Sequence, residues 1–391
     1  MAKSGFYLSK LQLQAELNRC LNCRTEPCMT ACPVNCNPQE FIRYARDGAW
    51  QDAVETIVRT NPMGQTCGLI CPDKFCMKAC TRSKVDFPIN IPRVQATILE
   101  NYRQPKETVL PAACGKRVAI VGAGPAGLAA ASVLIPSGFD IDMFEARHEI
   151  GGALCMIPAE RLPHAVIERD WSFINVPERI RLHLHTHIDN PNELLKTFDG
   201  VIVATGEPNC VALGIEGEEL SISYMDYLYH PEAYPTSGHV AIIGGGNVAA
   251  DCAMTAMRAG AASVEMFIRR RISDMRVSKT EFLELLELGI SLNGMTSPEK
   301  LEKHGDKLSL FVRRNFCENG KWLPVPESSI ELPYFDLVIC AIGSRADRKN
   351  EEIPTIIYAG DCKTGGSTIV EALASGRAAA EELIATLLHL A

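Results

Sequence analysis

The feature that most limits the fold of this chain is an internal repeat of strand, glycine turn, helix and strand. One copy, VAIVGAGPAGLAAASVLIPSGFDIDMFEAR, begins at Val118, and the other, VAIIGGGNVAADCAMTAMRAGAASVEMFIRR, begins at Val240. A single G-x-G-x-x-G pattern is weak evidence, but two copies, each between an apolar strand and an Ala-rich helix, are strong evidence. The sequence therefore predicts two Rossmann-like dinucleotide-binding folds.

The glycine turns of the two copies are the predicted pyrophosphate sites. Small residues let the backbone approach the anion, and the next helix directs its unpaired N–H groups and its dipole at it. The residues concerned are Gly122, Gly124, Pro125, Ala126 and Gly127 in the first copy, and Gly244, Gly245, Gly246, Asn247 and Val248 in the second, with Ala250 at the helix-packing position.

The two copies differ where the second strand ends. The first copy has Glu145 there, a carboxylate placed to accept hydrogen bonds from a ribose diol. The second copy has Ile268, followed by Arg269, Arg270 and Arg271. Guanidinium groups in place of a carboxylate favour a ribose 2′-phosphate, so we expect FAD on the first copy and NADPH on the second. The alternative for the arginines is a solvated strand end.

Nine of the sixteen cysteines are concentrated between Cys20 and Cys80. The first run, from Cys20 to Cys32, has the spacing C-x2-C-x4-C-x3-C-P, and a second run comprises Cys67, Cys71, Cys76 and Cys80. The compact first run resembles ferredoxin sequences in which three cysteines hold one [4Fe–4S] cluster and the fourth serves another. Two crossed clusters are therefore expected. Zinc binding and inert thiols are the alternatives, and Cys36 and Cys67 are interpreted as packing residues.

Composition and local pattern exclude several classes of protein. A net charge of −8 without a long basic run argues against nucleic acid binding. The N-terminus lacks an apolar signal region, so a cytoplasmic protein with reduced thiols is expected. Residues 118–139 carry no charge, but their glycines and prolines favour a buried strand–turn–helix over a membrane span. Helical periodicity over residues 38–62 predicts two helices broken near Gly48.

Further motifs carry a resemblance to a known family. EARHEIGGAL after the first copy, VIVATG at 201–206, LVICAIG at 337–343 and YAGD at 358–361 look like segments of flavoproteins with two dinucleotide sites. Together with TCGLICP, PINI and RLP, they make the chain similar to the electron-input subunit of bacterial dihydropyrimidine dehydrogenase. The small subunit of glutamate synthase is a related match.

The resemblance implies an α/β protein with an N-terminal all-α domain and two nested dinucleotide-binding domains. Residues 1–110 would form the helical domain with two [4Fe–4S] clusters. Residues 111–206 and 335–391 would form a discontinuous FAD-binding domain, and residues 207–334 an NAD(P)H-binding domain inserted in it.

The resemblance also implies the ligands of both clusters. One cluster would be held by Cys20, Cys23, Cys28 and Cys80, and the other by Cys32, Cys71, Cys76 and Gln95. A glutamine at position 95 is typical of the dehydrogenases, whereas the glutamate synthase subunits usually have glutamate there. The alternative for Gln95 is an amide on a helix surface.

Other contacts follow from the same resemblance. The FAD side would be formed by Ile70, Glu145, Gly151, Gly152, Ala153, Arg161, Thr205, Gly206, Gly360, Asp361, Ser367, Thr368 and Ile369, and the NAD(P)H side by Arg269, Arg270, Arg276, Ala341, Ile342 and Gly343.

The expected function is electron transfer from NAD(P)H through FAD and two clusters to a partner. Hydride transfer depends on orientation, so no catalytic acid or base is named. Because the sequence shows no barrel for FMN, an FMN-containing catalytic subunit that reduces uracil or thymine is the expected partner. The alternatives are the small subunit of an NADPH-dependent glutamate synthase and a stand-alone electron carrier.

Overall fold

The computed structural model describes residues 5–104, 110–234, 237–346 and 353–388. The chain divides into two compact units. Unit 1 comprises Met1–Cys155, Ala159–Glu207 and Ala346–Ala391, and unit 2 comprises Met156–Pro158 and Pro208–Arg345.

The N-terminal part of unit 1 is entirely helical in its described residues. Its helices are α1 (Lys10–Arg19), α2 (Pro27–Thr30), α3 (Pro38–Arg46), α4 (Trp50–Thr60), α5 (Gly64–Ile70), α6 (Cys76–Ala79) and α7 (Ile91–Tyr102).

Local sequence explains where these helices begin and end. Ser9 forms a capping box with Gln12 at the start of α1. Asn37 caps α3, and Pro38 occupies the first helical position. Gly48, with φ of +80°, separates α3 from α4, which confirms the predicted break.

The rest of unit 1 is a parallel sheet with helices. Its strands are β1 (Arg117–Val121), β2 (Asp140–Phe144), β3 (Ile180–His183) and β4 (Gly200–Val203), and its helices are α8 (Pro125–Leu134) and α9 (His164–Ile174).

Unit 2 contains a second parallel sheet and two antiparallel sheets. Its elements are β5 (Asn209–Cys210), β6 (Ile222–Ser223), α10 (Tyr224–Tyr229), β7 (His239–Ile243), α11 (Asn247–Arg258), β8 (Ser263–Ile268), α12 (Lys279–Glu287), β9 (Ser291–Gly294), β10 (Thr296–His304), β11 (Lys307–Glu318), β12 (Lys321–Pro324), β13 (Ile330–Phe335), β14 (Leu337–Cys340) and β15 (Ser344–Arg345).

The chain then returns to unit 1 with β16 (Ile356–Tyr358), α13 (Asp361–Thr364) and α14 (Ile369–Leu388). The sheet of unit 1 has the order β16-β4-β1-β2-β3, and that of unit 2 the order β6-β14-β7-β8-β9. All neighbours in both sheets are parallel. Each sheet therefore has a glycine turn at the carboxyl end of a central strand, where ligands bind in such folds.

One strand lies in a different unit from the one its sequence suggested. β14 pairs with β7 from Leu337↔Val240 to Cys340↔Ile243, and unit 2 extends to Arg345. The sequence predicts residues 335–345 as part of the FAD-binding domain instead. A short apolar run is buried equally well in either sheet, so its pattern does not identify its partner.

The uncharged stretch that imitates a membrane span is split between β1 and α8, as expected for a buried strand–turn–helix. Within the described parts of the chain, no helix is both long and apolar enough to cross a bilayer.

Candidate functional site

The first group of thiols faces one small cavity in the helical part of unit 1. Cys20, Cys23, Cys28 and Cys80 all line it, together with apolar residues such as Ile42. These are the four cysteines that the resemblance assigned to one cluster, and they come from sequence positions up to sixty residues apart. The fold therefore brings Cys80 to the first run, as crossed ligands require.

The backbone around this cavity is arranged by polar contacts. Cys20 ends α1, and its carbonyl oxygen accepts a hydrogen bond from Arg46 at 3.2 Å. Asn22 and Glu26 both have positive φ, which turns the chain tightly between Cys20 and Cys28. Cys28 lies in the short helix α2, and Cys80 ends the short helix α6.

Burial favours the protonated form of two of these thiols, Cys20 and Cys28. Burial is the main cause that raises the pKa of Cys28 to about 11, and the neighbouring Cys20 and Cys80 raise it further. Burial likewise raises the pKa of Cys20. Thiols whose pKa is raised in this way stay protonated at neutral pH unless a metal replaces their protons. The donor set fits an iron–sulfur cluster.

The second group comprises Cys32, Cys71 and Cys76. Burial raises the pKa of Cys71 to about 12, with Cys32 as the next cause. Burial also raises the pKa of Cys76, followed by the proximity of Cys71 and Cys32. The three thiols are therefore neighbours, although Cys32 is the last cysteine of the first run and the other two belong to the second run.

Gln95 and Cys36 lie beside each other near this second group. Gln95 is buried on α7, which contradicts the alternative of an amide on the helix surface. Its side-chain nitrogen donates to the carbonyl oxygen of Gly64 at 2.6 Å, and Cys36 donates its thiol to the side-chain oxygen at 3.8 Å. Burial, followed by Cys32, raises the pKa of Cys36. Both residues are candidates for the remaining ligand position.

Cys67 is buried on α5, one turn before Cys71. Burial raises the pKa of its thiol well above the usual value, with Cys71 as the next cause. Ile70, the expected flavin contact, is the last residue of the same helix and is half-buried.

The second group lies against the C-terminal helix of unit 1. The ammonium of Lys74 is 3.8 Å from the carboxylate of Glu371, and that carboxylate contributes to the raised pKa of Cys71. Glu371 also accepts hydrogen bonds from the backbone and hydroxyl of Thr368, which directly precedes α14. The carboxylate of Glu371 therefore interacts both with the loop that carries Cys71 and with the start of α14.

The first glycine turn has the close backbone approach that a pyrophosphate site needs. Gly122 has φ of +105°, and a Cβ there would overlap the carbonyl oxygen of Ala204. Gly124 caps α8, and Pro125 begins it. Ala126 and Gly127 are buried in the first turn. The start of α8 thus faces the end of β1, as in sites that hold phosphate groups.

Glu145 follows β2, next to this turn. Its carboxylate is buried and accepts hydrogen bonds from the backbone N–H of Ala123 at 2.8 Å and of Arg147 at 2.9 Å. It therefore supports the glycine turn from the position at which a ribose diol would be held. Gly151 donates its N–H to the carbonyl oxygen of Ala123 at 2.9 Å, so the Gly151–Gly152 segment lies against the same turn.

The closing motif of unit 1 adds Asp361 to this region. Gly360 lies directly before α13, and Asp361 begins it. The carboxylate of Asp361 accepts a hydrogen bond from the hydroxyl of Ser367 at 2.6 Å. Burial is the largest cause that raises the pKa of Asp361. Ile369 begins α14.

Gly376 is a contact residue that the sequence did not reveal. It is buried on α14, and a Cβ there would overlap the carbonyl oxygen of Ala126 on α8. Two helices therefore touch backbone to backbone beside the first glycine turn. The only signal in the sequence was one glycine within an Ala-rich helix, ALASGRAAA.

The second glycine turn repeats this geometry within unit 2. Gly244 has φ of +147°, and a Cβ there would overlap the carbonyl oxygen of Ala341, which follows β14. Gly246 caps α11, and Asn247 begins it. Gly245 accepts a hydrogen bond from the backbone N–H of Arg276 at 3.1 Å. The turn therefore contacts the segments of Ala341 and Arg276, two of the residues expected to bind NAD(P)H.

The arginines after β8 differ in their surroundings. Arg269 and Arg276 are exposed, and Arg270 is half-buried. The carbonyl oxygens of Arg269 and Arg270 accept hydrogen bonds from Asn315 at 3.0 Å and Met295 at 2.7 Å, so their backbone is held. Arg271 is paired with Asp274. Arg269, Arg270 and Arg276 therefore fit a phosphate better than Arg271 does.

The other residues expected to bind the cofactors lie in loops or near the ends of helices and strands. Ala153 lies in a short 3-10 helix, and Arg161 lies in a turn before α9. Val248 is in the first turn of α11. The rest follow strands: Thr205 and Gly206 follow β4, and Ile342 and Gly343 follow β14.

Two known protein families match consecutive parts of the chain. Residues 3–107 match the family described as dihydropyrimidine dehydrogenase domain II, 4Fe-4S cluster, and residues 116–376 match the family described as pyridine nucleotide-disulphide oxidoreductase. The matches confirm an iron–sulfur domain followed by Rossmann-like dinucleotide-binding domains.

Relatives match almost the whole chain. NAD-dependent dihydropyrimidine dehydrogenase subunit PreT of Salmonella typhimurium is 30% identical, over 94% of this chain and 92% of its own length. The NADPH glutamate synthase small chain of Escherichia coli is 28% identical, over 96% and 92%. Among solved structures, FprA, an oxidoreductase of Mycobacterium tuberculosis, aligns with a TM-score of 0.60 at 19% identity, over 70% of this chain and 85% of FprA. That likeness shows the fold.

Proposed function

Because the chain belongs to the pyridine nucleotide-disulphide oxidoreductase family and is similar throughout to PreT, we propose that it is the NAD(P)H-oxidising subunit of a pyrimidine-reducing enzyme. In this proposal it carries FAD and two [4Fe–4S] clusters, and it delivers electrons to a separate flavoprotein. When bound, NAD(P)H donates hydride, FAD converts the electron pair into single electrons, and the clusters carry those electrons.

The observation that carries this proposal is the distribution of thiols in unit 1. Four cysteines line one cavity, and Cys32, Cys71 and Cys76 form a second group. Such a set exceeds what a single zinc ion needs and matches two clusters with crossed ligands. We assign Cys20, Cys23, Cys28 and Cys80 to one and Cys32, Cys71, Cys76 and Gln95 to the other.

The residues of unit 1 determine where the flavin would be held relative to the second group. Gly122, Gly124 and Gly127 would contact the pyrophosphate, and the start of α14 would direct its dipole at the flavin. Cys71 lies beside Glu371 in the first turn of that helix. The chain thus holds a metal-binding loop and a flavin-binding helix end at one place, which suits electron transfer between them.

The residues of unit 2 would bind and orient NAD(P)H. Gly244, Gly245 and Gly246 would contact the pyrophosphate, and Arg269, Arg270 and Arg276 would meet the 2′-phosphate of NADPH. Ala341, Ile342 and Gly343 would line the approach of the nicotinamide. We therefore propose residues 208–345 as the NAD(P)H-binding domain, because β14 pairs with β7 in the sheet of unit 2.

A partner subunit completes the proposed enzyme. The relative PreT is named as a subunit of dihydropyrimidine dehydrogenase, and in this protein a second, FMN-containing chain would reduce uracil or thymine. Clusters with many thiolates need reduced cysteines, which suits the cytoplasm. The second candidate is a glutamate synthase partner, favoured by the match to that small chain.

Metal and flavin analysis of anaerobically purified protein tests the cofactors. We expect about eight irons, an equal amount of sulfide and one FAD per chain. Cys80→Ser removes about four irons, whereas Cys114→Ser, which changes a half-buried cysteine outside both groups, leaves the iron content unchanged. Zinc without flavin in the wild-type protein contradicts the proposal.

Activity with an added acceptor tests the partner. NAD(P)H oxidation by the complex purified from its source organism is measured with uracil, thymine or 2-oxoglutarate plus glutamine. Oxidation that depends on a pyrimidine supports the first candidate, and oxidation that depends on 2-oxoglutarate and glutamine supports the second. Reduction of an artificial dye alone by the isolated chain is the control for intact electron input.

A further inference from the structure

Three metal-binding side chains converge beside the first glycine turn, and the proposed function uses none of them. They are Glu149, Cys155 and His164, and one ligand atom of each lies within 4.8 Å of the others. The imidazole Nε2 of His164 is 3.3 Å from a carboxylate oxygen of Glu149. A carboxylate, a thiol and an imidazole make up a donor set that zinc accepts in proteins.

Separate parts of unit 1 supply the three residues. Glu149 follows β2 in the loop before Gly151, Cys155 lies in the 3-10 helix Gly152–Met156, and His164 begins α9. Cys155 donates its thiol to the carbonyl oxygen of Ile150 at 3.2 Å, which holds the sulfur close to the Glu149 loop. The convergence is therefore tertiary, across fifteen residues of chain.

We propose that Glu149, Cys155 and His164 form a binding site for one Zn²⁺ ion, separate from the iron–sulfur ligands. Water or a neighbouring carboxylate completes the tetrahedral coordination. Glu168 offers such a group, because its carboxylate lies 3.7 Å from His164 Nε2. This site stands independently of the proposed electron transfer.

The geometry needs only small side-chain movements to accept the ion. Zinc bonds of about 2.0–2.3 Å place tetrahedral ligand atoms roughly 3.5 Å apart. The Glu149 and His164 oxygen and nitrogen atoms already satisfy this separation. The His164 side chain is 45% exposed and that of Glu149 is 26% exposed, so both can rotate toward the sulfur without repacking the core.

Charges around the site favour a cation. Glu145, Glu149 and Glu168 bring carboxylates to this face. Arg147 lowers the pKa of Cys155, and the imidazole of His148 lies 3.7 Å from Glu149. Burial, followed by Glu149, raises the pKa of the Cys155 thiol to about 12. Zinc binding therefore replaces the thiol proton, which is released to solvent, and forms a Zn–S bond without any change of oxidation state.

A bound ion would join the Glu149 loop to α9. Gly151 and Gly152 lie in that loop against the first glycine turn, so the site would fix the segment that covers the expected FAD pyrophosphate. The ion would have a structural role: its three protein ligands would keep the Glu149 loop and α9 at a fixed separation.

Zinc analysis of the holoprotein tests the site. Protein with its full iron and FAD content is washed with EDTA, titrated with zinc against a fluorescent zinc indicator, and analysed for zinc and iron together. We expect one zinc per chain. Cys155→Ser and His164→Gln should each weaken zinc binding by about 10-fold or more, with iron and FAD unchanged.

Two controls and one spectrum make the result decisive. Cys114→Ser and His187→Gln change a cysteine and an exposed histidine outside the cluster and should leave zinc binding as in the wild type. The zinc X-ray absorption spectrum should show one sulfur with nitrogen and oxygen ligands. A four-sulfur spectrum, equal zinc affinity in Cys155→Ser and wild type, or no zinc bound at micromolar concentration would overturn the proposal.

Discussion

The backbone N–H of Thr66 donates a hydrogen bond to the carboxylate of Asp170 at 2.8 Å, although the two residues are 104 positions apart. The other oxygen of Asp170 accepts from Arg103 at 2.7 Å, and both charged side chains are buried, at 0% and 4% exposure. Thr66 lies on α5, one helical turn before Ile70, and Asp170 lies on α9. One buried carboxylate thus joins the cysteine-bearing helix to the dinucleotide-binding part of unit 1.

Removal of this carboxylate should destabilise unit 1. Asp170→Ala leaves the buried Arg103 guanidinium unpaired, which costs about 3–5 kcal/mol of unfolding free energy in comparable buried pairs. Urea unfolding of the holoprotein, followed by flavin fluorescence and circular dichroism, measures the loss. Asp189→Ala, which removes an almost fully exposed carboxylate, is the matched control and should change little. Equal stability of the two variants would show that the buried pair contributes nothing.

Because Gly376 contacts Ala126, replacing it with alanine should destabilise the protein even though alanine is the better helix former. In an exposed helix, Gly→Ala stabilises by about 1 kcal/mol. Gly376→Ala should instead destabilise, because the new methyl group overlaps the carbonyl oxygen of Ala126 and pushes α14 away from the first glycine turn. FAD content and the melting temperature measure the effect. Ala378→Gly, at an exposed position of the same helix, shows the propensity effect by itself; stabilisation by Gly376→Ala would refute the close contact.

Substitution can identify the fourth ligand of the proposed second cluster. The other three are Cys32, Cys71 and Cys76. If Gln95 fills that position, Gln95→Leu should lose about four irons per chain, and Cys36→Ala should keep them. The expectation follows from the buried amide of Gln95, which lies 3.8 Å from the Cys36 sulfur. Iron content and the low-temperature paramagnetic spectrum after dithionite reduction are measured for both variants. The opposite pattern, with iron lost only in Cys36→Ala, would assign the position to the cysteine.

The exposed arginines of unit 2 predict the choice of nicotinamide cofactor. Removal of one charge-assisted hydrogen bond to a 2′-phosphate costs about 1.5–3 kcal/mol, or roughly 10- to 150-fold in KM. Arg269→Ser and Arg276→Ser should therefore raise the KM for NADPH by that order and leave the KM for NADH nearly unchanged. Arg271→Ser is the control, since Arg271 is engaged by Asp274. Steady-state dye reduction with both nucleotides supplies the values, and equal changes for NADPH and NADH would refute a phosphate contact.

Local patterns predicted much of this fold because they act over a few residues. The glycine turns and the strands before them are decided by backbone conformation and nearby hydrogen bonds. The break at Gly48 is of the same kind. The sheet to which β14 belongs could not be predicted, since pairing with β7 depends on residues nearly a hundred positions away.

Part of the candidate site could not be predicted from local sequence patterns either. The cysteine spacing indicated clusters, yet the burial of Gln95 against Gly64 and Cys36 became evident only when α5 and α7 were packed together. Gly376 gave almost no signal, because a close approach between helices depends on the partner helix as well as on the glycine.

The sequence by itself determined the chemistry that this protein can hold: thiols at ferredoxin-like spacing and two glycine turns that each begin a helix. Tertiary structure alone decided which of these groups meet. Cys80 joins the first cysteine run, Asp170 reaches Thr66, and Glu149, Cys155 and His164 converge. The physical reason is range, since turns and caps are stabilised by neighbours in the chain, whereas ligand sets and buried charge pairs are stabilised only when distant segments pack together.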